Sequence, residues 1–227
     1  QADTGELILD CYDRGTVNYP AIRVQAASGV RAVCVFDERL KGSTTFSGGL
    51  FVDDEAFGDR PFGYPRARRW ALLQESPLRG LIARAEELPE RFDWVLTADR
   101  ALIAKGPPFV ECLYGTSWIN RGRPSPLARY EKSRLASFVG SVVHPEKGGY
   151  PLRRQVAEVC AADPRFDCWG KGIRPFLRKD DVVAPYRFSV CMENARQDLY
   201  LTEKLIDCIV TETIPVYWGC EGITDVF

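Results

Sequence analysis

The apolar positions of this chain fall into short runs separated by stretches of mixed character. Leu7 to Asp10 (LILD) and Val30 to Phe36 (VRAVCVF) are brief and mostly apolar, the second rich in valine, and both read as strands. Glu38 to Tyr64 is rich in Gly, Asp and Phe and reads as loop. Trp70 to Gln74 (WALLQ) predicts a strand that ends at Glu75-Ser76-Pro77. Leu78 to Leu88 carries Leu, Ile and Ala at helical spacing and predicts a helix. Phe92 to Thr97 (FDWVLT) predicts a strand, Asp99 to Ala104 a short helix, and Pro107 to Trp118 further extended chain.

A polar stretch with Gly and two prolines, Asn120 to Pro126 (NRGRPSP), reads as a linker. A second alternation follows. Leu135 to Gly140, Phe166 to Gly170, Tyr186 to Glu193 and Ile214 to Gly219 read as strands, and Tyr150 to Ala161 and Thr202 to Val210 as helices. Strands separated by helices imply a parallel sheet covered on both faces. The expected organisation is α/β, with two Rossmann-like domains facing across a cleft: 1–126, and 127–227. Asp225-Val226-Phe227 falls where a helix after the last strand is expected to begin, so the second domain is expected to be incomplete. Gln1 is not a natural start, and residues upstream of it are expected.

With 227 residues, 45% hydrophobic and 27% charged, the chain has an ordinary globular balance. A formal net charge of −1 argues against bulk nucleic acid as the main partner. Local basic clusters remain: Arg66, Arg68 and Arg69; Arg153 and Arg154; and Lys171, Arg174, Arg178 and Lys179. Each is either solvated surface or a face turned toward an anion such as a diphosphate. No apolar run reaches the roughly 18 residues of a membrane helix. The eight cysteines are scattered without a CxxC pair, and His144 is the single histidine, a pattern that argues against a zinc site. Cys34 (in AVCVF) and Cys208 (in LIDCIV) sit in apolar patterns and read as small buried hydrophobes of a reducing compartment. Asp53-Asp54-Glu55 reads as solvated surface.

Chemistry concentrates in Tyr186 to Gly219. A strand ends there in Met192-Glu193-Asn194, a polar loop follows, and Thr202 stands at the N-cap position of a helix with Glu203 in its first turn. Ligands of open α/β sheets bind at the carboxyl ends of the strands, and exposed helix N–H groups favour phosphate. Lys204 can pair with a phosphate, Glu203 can accept hydrogen bonds from ribose hydroxyls, and Tyr200 can stack on a base or bond a phosphate oxygen. From spacing alone the plain alternative stays open: Thr202 as a cap, Glu203 favouring the helix dipole, and Lys204 on the surface.

The same segment resembles the donor-binding motif of the α1,3-fucosyltransferases, glycosyltransferase family 10. The likeness is carried by Tyr186, Phe188, Glu193-Asn194, Tyr200-Leu201-Thr202-Glu203-Lys204 and Ile214-Pro215-Val216-Tyr217-Trp218-Gly219. Glu75-Ser76-Pro77, Phe92 to Ile103, Tyr114 to Ile119, and Ser137 to Arg153 resemble further family elements more weakly. The resemblance implies a GT-B arrangement, GDP-fucose as donor, a glycan acceptor, and transfer with inversion at the fucose anomeric carbon; the alternatives are a GT-B transferase of another GDP-sugar and a non-catalytic nucleotide-sugar-binding domain. It implies Glu75 as general base and Arg153, with Arg154 as the competitor, as the contact to the donor diphosphate. Tyr200, Thr202, Glu203 and Lys204 correspond to the donor-binding run, with Glu193 and Asn194 at the same strand end. Glu193 either contacts the transferred sugar or steadies the loop. No cofactor is required on this reading, and a divalent metal is at most stimulatory. No membrane span is expected in the chain, although peripheral association is compatible. The expected location is the cytoplasm or the cytoplasmic membrane face, or the Golgi if an anchor has been removed.

Overall fold

A computed structural model describes residues 6–13, 21–25, 31–36, 46–113, 117–119, 130–144 and 146–227, with backbone only for 21–25. The chain divides into two compact units, Gln1–Cys112 and Leu113–Phe227. The expected linker at 120–126 lies outside the described residues.

The first unit is built on a seven-stranded sheet. Its strands are β1 (Glu6–Tyr12), β2 (Ala21–Gln25), β3 (Arg31–Val35), β4 (Gly48–Val52), β5 (Arg69–Leu73), β6 (Val95–Thr97) and β7 (Phe109–Glu111). The spatial order is β2-β3-β1-β4-β5-β6-β7. All neighbours are parallel except β2, which pairs antiparallel with β3 at one edge. The short helix α1 (Arg100–Ile103) is capped by Asp99, whose side chain accepts the N–H of Leu102. Phe51, Phe92, Leu88, Val95 and Tyr12 form the core.

Three expectations fail in this unit. Residues 78–88 form no α-helix but two 3₁₀ turns, Pro77–Arg79 and Ile82–Glu87. Gly80 ends the first turn in the left-handed region at φ 72°, and the stretch left between it and Pro89 is too short to nucleate a helix. The stretch read as loop contains β4. Its Gly48 and Gly49 weaken the strand signal, yet a Cβ at Gly48 would stand 2.2 Å from the Trp70 ring, so close packing requires glycine there. Asp53-Asp54-Glu55 is not solvated surface, because Asp53 and Glu55 are buried. Asp53 Oδ1 accepts the backbone N–H groups of Gln74 (2.9 Å) and Glu75 (3.0 Å), and Glu55 pairs with Arg60 at 3.2 Å.

The second unit holds a four-stranded, all-parallel sheet: β8 (Arg134–Val139), β9 (Phe166–Trp169), β10 (Tyr186–Met192) and β11 (Ile214–Trp218). Its order is β11-β10-β8-β9. Helices α2 (Tyr150–Ala161), α3 (Asp180–Val183) and α4 (Glu203–Val210) make the crossovers. The side-chain alternation of a strand sends neighbouring residues to opposite faces. Phe138 and Met192 pack with Ala157 and Cys160 of α2, while Val139 and Cys191 pack with Val182, Val183 and Cys208. The near-continuous apolar runs read as strands thus fill two cores, one on each face. A buried hydroxyl pair, Ser137 to Ser189 at 3.0 Å, ties β8 to β10 through the middle of the sheet. Cys34, Cys160, Cys168, Cys191, Cys208 and Cys220 form no disulfide.

Candidate functional site

From β8 the chain moves outward to β9, then returns to the opposite side of β8 for β10 and β11. The succession reverses between β8 and β10, and a crevice at the carboxyl ends of two such strands is where ligands of open α/β sheets bind. A cavity of about 280 Å³ lies there. Val139, Gly140 and Ser141 line it from the end of β8, Gly170 and Lys171 from the end of β9, and Asn194 from the end of β10. The first turn of α2 adds Tyr150 and Arg153, and that of α4 adds Glu203 and Lys204. Trp118, Phe176 and Lys179 complete the wall.

Arg153 is only 2% exposed, whereas the neighbouring Arg154 is exposed. Its guanidinium donates to the carbonyl of Met192 and lies 4.9 Å from the centre of the Tyr150 ring. Its Nε, also buried, has no hydrogen-bond partner among the described residues. Burial pulls this guanidinium below its usual pKa, against the opposing pull of Tyr150 and Glu193. A buried cation of this kind, aimed along a cavity wall, gains from an incoming anion.

Asp207, Lys179, Glu203, Lys204 and Glu193 form one alternating chain of charges. Asp207 pairs with Lys179 (2.7 Å), Lys179 with Glu203 (3.3 Å), Glu203 with Lys204 (3.3 Å), and Lys204 with Glu193 (3.0 Å). Burial pushes Glu203 up, but Lys204 and Lys179 outweigh it and hold the carboxyl down at about 2. Burial likewise opposes the charge of Lys179, and Glu203 and Asp207 more than reverse it, raising its pKa.

Thr202 stands at the N-cap position of α4 but does not cap it. Its hydroxyl and backbone N–H both donate to the wholly buried carboxylate of Glu193, and the same hydroxyl accepts from Lys204 at 2.8 Å. The capping expectation fails because the nearer acceptor, a buried carboxylate, takes the hydroxyl proton. Glu193 therefore braces the loop before α4. Gly219 leaves room for it, since a Cβ there would stand 2.4 Å from Glu193 Cγ. Tyr200 is also buried, and its hydroxyl donates to Asn194 Oδ1 at 2.9 Å. Of the residues expected at a donor site, Arg153, Asn194, Glu203 and Lys204 line the cavity, and Glu193, Tyr200 and Thr202 support it from behind.

Two participants were missed from the sequence. Lys179 stood in a basic cluster with nothing to separate it from solvated neighbours. Asp207 interrupts the apolar run LIDCIV, and that was its one available signal. It is 0% exposed and accepts the Ser117 hydroxyl (2.7 Å) and the Trp118 N–H (2.8 Å).

Glu75 belongs to the first unit, just past β5, half-exposed and 3.5 Å from Arg79. Its backbone is held by Asp53, which takes φ 52°. Burial raises the Asp53 carboxyl to about 6, against hydrogen bonds from Glu75 and Gln74 and with added repulsion from the Glu75 and Asp13 charges. A carboxyl bound more tightly to its proton in the folded state gives stability that is full below about 4 and lost as pH rises through about 6. Asn keeps the acceptor oxygen, tolerates positive φ and carries no charge. Asp53→Asn is therefore expected to gain about 1–3 kcal/mol over the parent between pH 4 and pH 8. Urea unfolding of both proteins at the two pH values measures this, and an unchanged difference would refute it.

Among the described residues, no group of three or more His, Cys, Asp and Glu could hold a metal ion, and no helix is long and apolar enough to cross a membrane.

Comparison with known proteins adds a family likeness to this geometry. Residues 130–225 match the family described as glycosyltransferase family 10 (fucosyltransferase), C-terminal part. An alpha-(1,3)-fucosyltransferase, FucT, of Helicobacter pylori is 39% identical over 49 residues, which is 22% of this chain and 10% of the relative. The match thus spans about a tenth of that relative's length. A crystal structure of an alpha1,3-fucosyltransferase with GDP aligns over 99% of this chain and 72% of its own, at 16% identity and a TM-score of 0.50. One with GDP-fucose has the same coverage and identity at 0.49. At that identity the likeness to the first of these speaks to the fold alone.

Proposed function

We propose, on the premise that residues 130–225 belong to glycosyltransferase family 10, that the cavity takes the nucleotide diphosphate of a GDP-sugar and that the protein transfers fucose from GDP-fucose to a glycan hydroxyl. The observation that carries this reading is Arg153: buried, with an unpartnered nitrogen, beside Lys204 at the carboxyl ends of β8 and β10. Two cations at that position offset the charge of a departing diphosphate. Glu203 is held ionised by its two lysines and offers acceptors to ribose hydroxyls. Glu193, Thr202 and Tyr200 keep these groups in place rather than touching the ligand.

Transfer with inversion is one displacement. The acceptor oxygen bonds to the anomeric carbon, the bond from that carbon to the diphosphate oxygen breaks, and its electron pair leaves with GDP. The hydroxyl proton goes to a carboxylate, and Glu75 at the end of β5 is the base assigned to it.

Melting shifts with GDP, GDP-fucose, GDP-mannose and UDP-sugars test the site, alongside GDP release over a panel of glycan acceptors. A guanine nucleotide at about 100 times its dissociation constant adds about 2.7 kcal/mol of stability. Arg153→Gln is expected to lose most of that shift. Glu75→Gln is expected to keep the shift and to lose at least about 100-fold in turnover. A larger shift with UDP-sugars, or full turnover in Glu75→Gln, would overturn the corresponding part.

A further inference from the structure

The polar groups of the cavity account for a diphosphate and a ribose but not for a base. Trp118 is 45% exposed and lines the cavity. Its position is not left loose. The fully buried carboxylate of Asp207 accepts both its backbone N–H and the hydroxyl of Ser117, across 89 residues of chain in the first case. Lys179, itself paired with Asp207, places its ammonium over the indole at 5.0 Å from the ring centre. A buried charge network is thus committed to fixing an exposed aromatic ring in a cavity wall. That is preorganisation for a planar ligand, which then stacks without ordering the ring first.

The order of neighbours along the wall says which part of the ligand this is. Lys204 touches Glu203, Glu203 touches Lys179, and Lys179 lies over Trp118. If Lys204 takes phosphate and Glu203 takes ribose hydroxyls, Lys179 is already paired with Asp207 and Glu203, and the next position along the wall, Trp118, faces the base. We propose that Trp118 is the stacking surface for the nucleobase, so that the cavity receives diphosphate, ribose and base in the order Lys204, Glu203, Trp118. The assignment rests on the nucleotide reading of the cavity given above.

Calorimetric titration of GDP and of inorganic diphosphate into the parent, Trp118→Leu and Trp118→Phe proteins tests it. Leu fills the space without a π-face, and Phe keeps one. A base stack contributes about 1–3 kcal/mol, so Trp118→Leu is expected to bind GDP about 10–100-fold more weakly while its diphosphate affinity stays within about twofold. Trp118→Phe is expected to recover most of the loss. GDP binding within about twofold of the parent in Trp118→Leu would overturn the proposal. So would equal weakening of GDP and diphosphate, which would make Trp118 only a shaper of the cavity. A parent protein that binds diphosphate but gains nothing from the base would overturn it as well. A parent that binds neither would defeat the nucleotide reading itself and this assignment with it.

Discussion

Lys179→Met is expected to destabilise the second unit by about 3–5 kcal/mol, the range found when one partner of a buried ion pair is removed. The reason is Asp207. With Lys179 gone, its fully buried carboxylate keeps, among the described residues, the Ser117 hydroxyl and the Trp118 N–H as polar partners. Glu203 loses one of its two cations at the same time. Met matches the length of the lysine stem, so the loss reads charge rather than volume. Urea unfolding gives the number, and the double variant Lys179→Met/Asp207→Asn is expected to regain more than half of it. The pH dependence has a definite sign. Glu203 is depressed to about 2, so its contribution is present above its ordinary range and is lost as pH falls through that range toward 2. In Lys179→Met the loss of stability on acidification should be shallower. A cost below about 1 kcal/mol, or no recovery in the double variant, would contradict the buried-network account.

Gly170→Ala is expected to cost about 4 kcal/mol or more, enough to prevent folding in a domain of ordinary stability. Gly170 sits at φ 131°, which L side chains rarely adopt, and a Cβ there would stand 1.9 Å from the carbonyl oxygen of Gly140. Neither obstacle is a flexible side chain that can step aside. Gly140 belongs to the backbone that leaves β8, and its N–H donates to the carbonyl of Trp169 at 2.9 Å. Relief would have to open β8 from β9 where both border the cavity. Gly63→Ala makes a fair control, because nothing lies within 4 Å of its added Cβ and its φ is not left-handed. It should shift the urea midpoint little, and equal effects of the two substitutions would refute the close-approach argument.

The second unit was the more legible in sequence, for a physical reason. Its central strands β8 and β10 each feed a core on both faces and so carry near-continuous apolar runs, and helical spacing marks Tyr150–Ala161 to the residue. The first unit hides β4 behind Gly48, which packing against Trp70 demands, and Gly49, which packs against the Phe51 ring, and hides β2 in a five-residue edge strand, AIRVQ. Residues 78–88 carried helical spacing, but one left-handed glycine outweighed it. At the site, the Thr202-Glu203-Lys204 triplet could be read because its spacing is local. The destination of the Thr202 hydroxyl could not, since Glu193 lies nine residues earlier and becomes the better acceptor only by being buried. The bonds from Ser117 and Trp118 to Asp207 span 90 and 89 residues, beyond any periodicity.

The reversal of strand order between β8 and β10 also bears on when the cavity comes into being. Tyr186 pairs with Arg134, and Ser189 with Ser137, each across 52 residues of chain, and β9 with two helices lies between. Contacts of such separation carry a loop-closure cost before they return any stabilisation, and they form slowly. Arg153 finds its carbonyl partner at Met192, and Gly149 finds its own at Asn194, only after β10 has docked. The cavity therefore requires β10 docked on β8. A nascent or partly unfolded molecule can have all of α2 and β8 in place and still present no cavity.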